Sequence, residues 1–162
     1  MKPKDPFATS GLPPIKQKEE NNSVVEAGHE AQSKYLILLA DDSADSAAMI
    51  SLYLQQQGYR VLTASNGEDA IKIALKTSPN LILMDISMPT LDGLGATRRI
   101  REDETLRDIP IIAVTAFGTE GFQRAAYDAG VSGYLTKPID LDRMCNLIAH
   151  LLSPTGSGSL PS

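Results

Sequence analysis

The chain is 162 residues long, which suits one domain with tails. With 42% hydrophobic and 22% charged residues it can pack a core, and its formal net charge of −5 argues against a nucleic-acid binder, which usually shows a basic face. The single cysteine, Cys145, excludes a disulfide framework, and the lack of any run of about 18 apolar residues excludes a helical membrane span.

Residues 1–33 hold four prolines, four Lys and five Asp or Glu, with little apolar periodicity. This composition predicts a disordered tail, with room for a short helix near NNSVVEAGHEAQ. The opening MKPKDPFATSGLPP lacks the apolar stretch of a secretory signal, so the cytoplasm is the expected compartment. The run YLILLA (35–40) then reads as a strand buried on both faces, and it stops at two adjacent carboxylates, Asp41 and Asp42. Met49, Ile50, Tyr53 and Leu54 follow as the apolar stripe of a first helix.

YRVLTA (59–64) alternates, as a strand nearer a sheet edge does. Asn66 is placed to cap a second helix, with Asp69 three residues on and a stripe of Ala70, Ile71, Ala74 and Leu75. LILMD (81–85) is a third strand. Leu94, Thr97 and Ile100 line a third helix, whose Arg98, Arg99 and Arg101 read as a solvated face. IIAVTA (111–116) is a fourth strand, followed by a helix marked by Ala125, Ala126 and Ala129 and stopped by Gly130. GYLTKP (133–138) is a short fifth strand that Pro138 must end or place at an edge. Leu141, Met144, Ile148 and Leu151 line the last helix, with Cys145 as a small core residue. Residues 153–162, rich in Ser, Gly and Pro, read as a flexible tail.

Five βα units in series require an α/β fold with a doubly wound five-stranded parallel sheet and helices on both faces. Neither GxGxxG nor GxxxxGK[ST] occurs, so a dinucleotide or P-loop site is not indicated. Ligands of such sheets bind outside the carboxyl ends of the strands. There the chain places Asp41 and Asp42, Ser65 and Asn66, Asp85, Thr115 and Ala116, and Lys137. Singly these have ordinary readings: Asp41 or Asp42 as a helix cap, Thr115 as a strand residue, Lys137 as a surface lysine. Together they bring three carboxylates, a hydroxyl and an ammonium to one edge. Two unit charges 4 Å apart repel by roughly 4 kcal/mol at an effective dielectric near 20. A hard cation such as Mg²⁺, which takes oxygen ligands and keeps waters, relieves this. Asp41 and Asp42 then hold the metal, and Asp85 is left as a nucleophile that can form an aspartyl phosphate, with Lys137 and Thr115 positioning its oxygens.

The segments LLADDS, LILMDISMPTLDG, AVTA and GYLTKP, in this order and spacing, resemble the receiver domain of two-component response regulators, over about residues 34–152. The resemblance implies a flavodoxin-like fold with strand order 2-1-3-4-5. It implies that Asp85 accepts a phosphoryl group from a sensor histidine kinase or a histidine phosphotransfer protein. It implies that Asp42 ligates Mg²⁺ directly, Asp41 through water, and that the Ser87 backbone carbonyl completes the metal site. Lys137 pairs with the phosphoryl oxygens, Thr115 bonds the phosphoryl group on arrival, and Tyr134 is the aromatic switch. Ser87 and Phe117 occupy two family positions that vary near the phosphate, and Gly95 stands where a polar helix former is usual. A cis Lys137–Pro138 bond is expected.

With only a tail after the fifth helix, a stand-alone regulator is expected, acting as a phosphorylation switch rather than an enzyme. Its expected output is a protein target contacted through the fourth helix, fifth strand and fifth helix, without direct DNA binding or membrane association. The fourth helix is expected to begin with FGTEGF, a first turn weakened by Gly118 and Gly121. A haloacid dehalogenase-type phosphatase is the alternative from another class. It needs a second Asp two residues after the nucleophile, where this chain has Ser87. A receiver kept only as a scaffold is the third reading, against which the intact set of five residues stands.

Overall fold

The computed structural model describes residues 34–153. The expected tails, and the short helix near residue 25, lie outside the described residues, apart from Ser153, which caps the last helix. Five strands alternate with five helices: β1 (Leu36–Ala40), α1 (Ala44–Gln56), β2 (Arg60–Ala64), α2 (Gly67–Thr77), β3 (Leu81–Asp85), α3 (Gly93–Glu102), β4 (Ile111–Thr115), α4 (Glu120–Ala129), β5 (Gly133–Thr136) and α5 (Leu141–Leu152). All strand pairs are parallel, and the sheet runs β2-β1-β3-β4-β5. This is the doubly wound, flavodoxin-like order. The alternating run 60–64 is indeed an edge strand, and the continuous apolar runs of β3 and β4 are buried at every residue.

Each sheet face has its own core. Ala70, Ala74, Ala96, Ile100 and Ala126 bring α2, α3 and α4 onto Leu38, Ile82, Met84 and Ala113. Ala47, Ile50, Leu54, Met144 and Ile148 bring α1 and α5 onto Ile37, Leu39, Leu83 and Val114. Side chains alternate across the pleat, so β1 and β3 feed both layers. Each fully buried Leu or Ile contributes on the order of 1.5–3 kcal/mol.

Helix ends follow local chemistry. Ser43, Asn66, Asp92 and Asp140 each cap a helix by accepting a backbone N–H with the side chain. The cap of α1 is therefore Ser43, which removes the capping reading of Asp41 and Asp42. Gly130 closes α4 at φ 112°, a left-handed conformation that suits glycine.

Three expectations need correction. Met49 and Leu75 are 56% and 50% exposed and belong to no core stripe. The buried rows are Ala47, Ile50 and Leu54 in α1 and Ala70 and Ala74 in α2. Met49 and Leu75 sit one residue away from those rows, about 100° around the helix. The fourth helix begins at Glu120, so Gly118 lies in the β4–α4 loop and only Gly121 weakens the first turn. Arg101 is not solvated. It is half-buried, and its guanidinium donates to the carbonyls of Gly130, Arg107 and Ile109 at 2.7–2.8 Å, tying the end of α3 to the end of α4. Burial lowers its pKa, with Asp108 opposing.

Candidate functional site

The sheet gathers its polar residues at the carboxyl ends of β1, β3, β4 and β5. Asp41 and Asp85 are 4% exposed and Asp42 is exposed. One carboxylate oxygen from each lies within 4.8 Å of the other two. Asp41 is fixed from two sides: Oδ1 accepts from the Ser43 N–H at 2.9 Å and Oδ2 from the Ser46 hydroxyl at 2.7 Å. Asp42 has no hydrogen-bond donor among the described residues. Asp85 accepts from the Ser87 N–H on Oδ1 at 2.9 Å and from Lys137 Nζ on Oδ2 at 3.0 Å. Lys137 Nζ also stands 3.7 Å from Asp41 Oδ2. The Lys137–Pro138 bond is cis, as expected.

The electrostatics show opposing effects. Burial pushes the Asp85 carboxyl up, while Lys137 and the Ser87 N–H pull it down and Asp41 adds to the rise; the net shift is upward. Burial works to lower the Lys137 ammonium, but its hydrogen bond to Asp85 and the fields of Asp85, Asp41 and Asp42 outweigh that, and it is raised. One ammonium thus stands against three carboxylates, and the cluster calls for further positive charge. Hard carboxylate oxygens with room for water fit Mg²⁺ rather than a softer metal. Both Asp41 oxygens already accept hydrogen bonds, whereas Asp42 is open to solvent.

Thr115 ends β4, fully buried, and its Oγ1 accepts from the Phe117 N–H at 3.1 Å. Tyr134 is buried, and its hydroxyl donates to the Phe117 carbonyl. The Phe117 ring is half-exposed and stacks on Phe122, with centroids 5.0 Å apart. Two residues outside the expected set also shape the site. Ser46 holds Asp41, and its only sequence signal is a hydroxyl one turn into α1. Gly93 lets the chain after Asp85 fold back, since a Cβ there would lie 2.2 Å from the Asp85 carbonyl oxygen. The DG pair in LDG marks it.

The model of the response regulator receiver domain matches residues 37–149. This chain belongs to that family. Among its relatives, the receiver is 33% identical over 116 residues to the polar-differentiation response regulator DivK of Brucella anthropi, covering 72% of this chain and 94% of DivK. It is 34% identical over 119 residues to the DNA-binding dual master transcriptional regulator RpaA of Synechocystis, covering 74% of this chain. It spans about half of RpaA, 49% of its length. Among solved structures, the receiver domain of the sensor histidine kinase PA1611 from Pseudomonas aeruginosa, with magnesium coordinated in its active-site cleft, superposes with a TM-score of 0.69 at 35% identity, over 73% of this chain and 97% of that one.

Proposed function

We propose that this receiver accepts a phosphoryl group on Asp85, from a sensor histidine kinase or a histidine phosphotransfer protein, with Mg²⁺ held by Asp42, Asp85 and the Ser87 backbone carbonyl, and by Asp41 through water. The observation that carries this reading is the Asp85 carboxylate, set between the Lys137 ammonium at 3.0 Å and two further carboxylates within 4.8 Å. An Asp85 oxygen attacks phosphorus; the new O–P bond forms as the N–P bond of the donor imidazole breaks. Lys137 and the Ser87 N–H each hold one Asp85 oxygen, which fixes the plane of the nucleophile. Mg²⁺ bound there supplies the positive charge that the phosphoryl oxygens need.

In the present arrangement the Thr115 Oγ1 accepts the Phe117 N–H and its hydroxyl also bonds with the Tyr134 side chain, so a phosphoryl oxygen competes for that hydroxyl proton. Donation to a phosphoryl oxygen pulls on the Phe117 N–H and so on the loop that Tyr134 grips. Output then passes by protein contact through α4, β5 and α5. The exposed Phe117, Phe122 and Tyr127 lie on or beside α4. The net charge of −5 supports a protein target rather than DNA. The match along 94% of DivK, itself a response regulator, supports a regulatory switch. RpaA is DNA-binding, but this chain matches only 49% of its length. No helix among the described residues is long and apolar enough to cross a membrane.

The test is transfer from a histidine phosphotransfer protein loaded with labelled phosphate. Label should leave the histidine and appear on this chain when Mg²⁺ is present, and not on an Asp85→Asn variant. Label on the variant would refute the assignment of Asp85.

A further inference from the structure

Among the described residues, no strand pairs with the outer edge of β2. Arg60 donates its N–H to the Tyr35 carbonyl, and the Ala64 carbonyl accepts from the Asp41 N–H. The even-numbered residues of β2 therefore turn their backbone groups toward β1. Alternation along a strand leaves the N–H and C=O of Val61 and Thr63 facing outward from the sheet. Such an edge is a template for one more strand.

The two sides of this edge differ in chemistry. On the α2 side lies a groove of about 830 Å³ with Lys72, Ile73, Leu75 and Lys76 in its lining. Leu62, 37% exposed, faces the same side as Ala64. Asp69, also in the lining, is engaged by the Asn66 side-chain amide at 3.0 Å. The α2 side thus offers apolar surface and two lysines. On the α1 side a smaller groove of about 370 Å³ is lined by Ala48, Leu52 and Gln55.

We propose that residues 22–26 of this chain, NSVVE, add to β2 as an antiparallel sixth strand. The pair Val24–Val25 is β-branched, as strands favour. Alternation sends Val24 and Glu26 to the α2 side and Val25 to the α1 side. Val24 then covers Leu62, Ile73 and Leu75, while Val25 meets Leu52. α2 runs back toward the start of the sheet, so Lys76 lies at the end where an antiparallel strand places Glu26. Residues 27–34 remain as the connection to β1. Eight residues reach about 26 Å, and passing around β2 requires about 10 Å, two strand spacings. Tethering gives the segment a local concentration in the millimolar range, ahead of a second copy or a foreign peptide.

The test is amide hydrogen exchange of Val61 and Thr63, followed by NMR on the full chain. Both amides should be slowed roughly tenfold or more relative to a Val25→Pro variant, which lacks the N–H that faces β2 in this register. Exchange at Ile82, in the central sheet, should be equal in the two and so reports an intact fold. Glu26→Lys should speed exchange at Val61, and Lys76→Glu in that background should slow it again. Equal exchange at Val61 and Thr63 with and without Val25→Pro would overturn the proposal. Protection that grows with protein concentration would also overturn it, since the added strand would then come from another molecule.

Discussion

Asp42 is the residue where charge and stability diverge most. It faces two other carboxylates without a hydrogen-bond donor of its own among the described residues. Asp42→Asn should therefore raise the metal-free stability, and Tm with it, only slightly, by on the order of 1 kcal/mol or less, because the group is solvent-exposed and screened. The same change should abolish the Tm increase that Mg²⁺ gives the unmodified protein, since a ligand stabilises only a state that binds it. Thermal melts with Mg²⁺ and with a chelator check both; an undiminished Mg²⁺ effect in the variant would remove Asp42 from the metal site. Phe117 is expected to bear on a different property, the lifetime of the phosphate. Its ring can neither orient nor activate water, and it is held by stacking on Phe122. Phe117→Glu should speed loss of phosphate severalfold or more, within the roughly 10²–10⁴-fold that positioned acid–base groups give. Decay of the purified phosphoprotein in Mg²⁺ buffer measures it, and equal or slower decay would show that Phe117 does not gate the water.

Between Thr115 and α4 the chain is held by few groups. Thr115 accepts the Phe117 N–H, Tyr134 donates to the Phe117 carbonyl, and Thr119 caps α4 without a side-chain hydrogen bond. A phosphate mimic at Asp85 should therefore change hydrogen exchange across residues 117–124 more than across β3, and Tyr134→Phe should blunt that change. At the other end of α4 the hold is strong. Arg101→Ala leaves the Gly130, Arg107 and Ile109 carbonyls without their cationic donor and should cost about 2–3 kcal/mol by denaturant unfolding. Arg101→Lys should recover only part, since a single ammonium lacks the planar fork that spans three carbonyls. In the sequence, Arg101 is indistinguishable from Arg98 and Arg99. Its partners lie 6, 8 and 29 residues away, and only the turn of the chain at Gly130 brings them together. Met49 and Leu75 misled for the opposite reason: an apolar residue one step from a core row satisfies a loose periodicity and still faces water.

For the molecule as a whole, the order of elements was legible because parallel strands buried on both faces write themselves as apolar runs such as LILMD and IIAVT. The reactive end was legible because polar residues interrupt those runs at their carboxyl ends. Asp41, Asp42, Asp85 and Lys137 could thus be placed together before their distances were known. Hidden from the sequence were the supports: the Ser46 hydroxyl on Asp41, the close approach of Gly93 to the Asp85 carbonyl, and the Tyr134 hydroxyl on the Phe117 carbonyl. Each depends on packing between segments rather than on a local pattern. They surround the Asp85 carboxylate, and the most direct test of its role is intact and peptide mass analysis after incubation with acetyl phosphate and Mg²⁺. The expected result is one acid-stable, base-labile phosphoryl adduct per chain, located on Asp85 and not formed when Mg²⁺ is chelated beforehand. An adduct on any other residue, or one formed equally well without Mg²⁺, would contradict it.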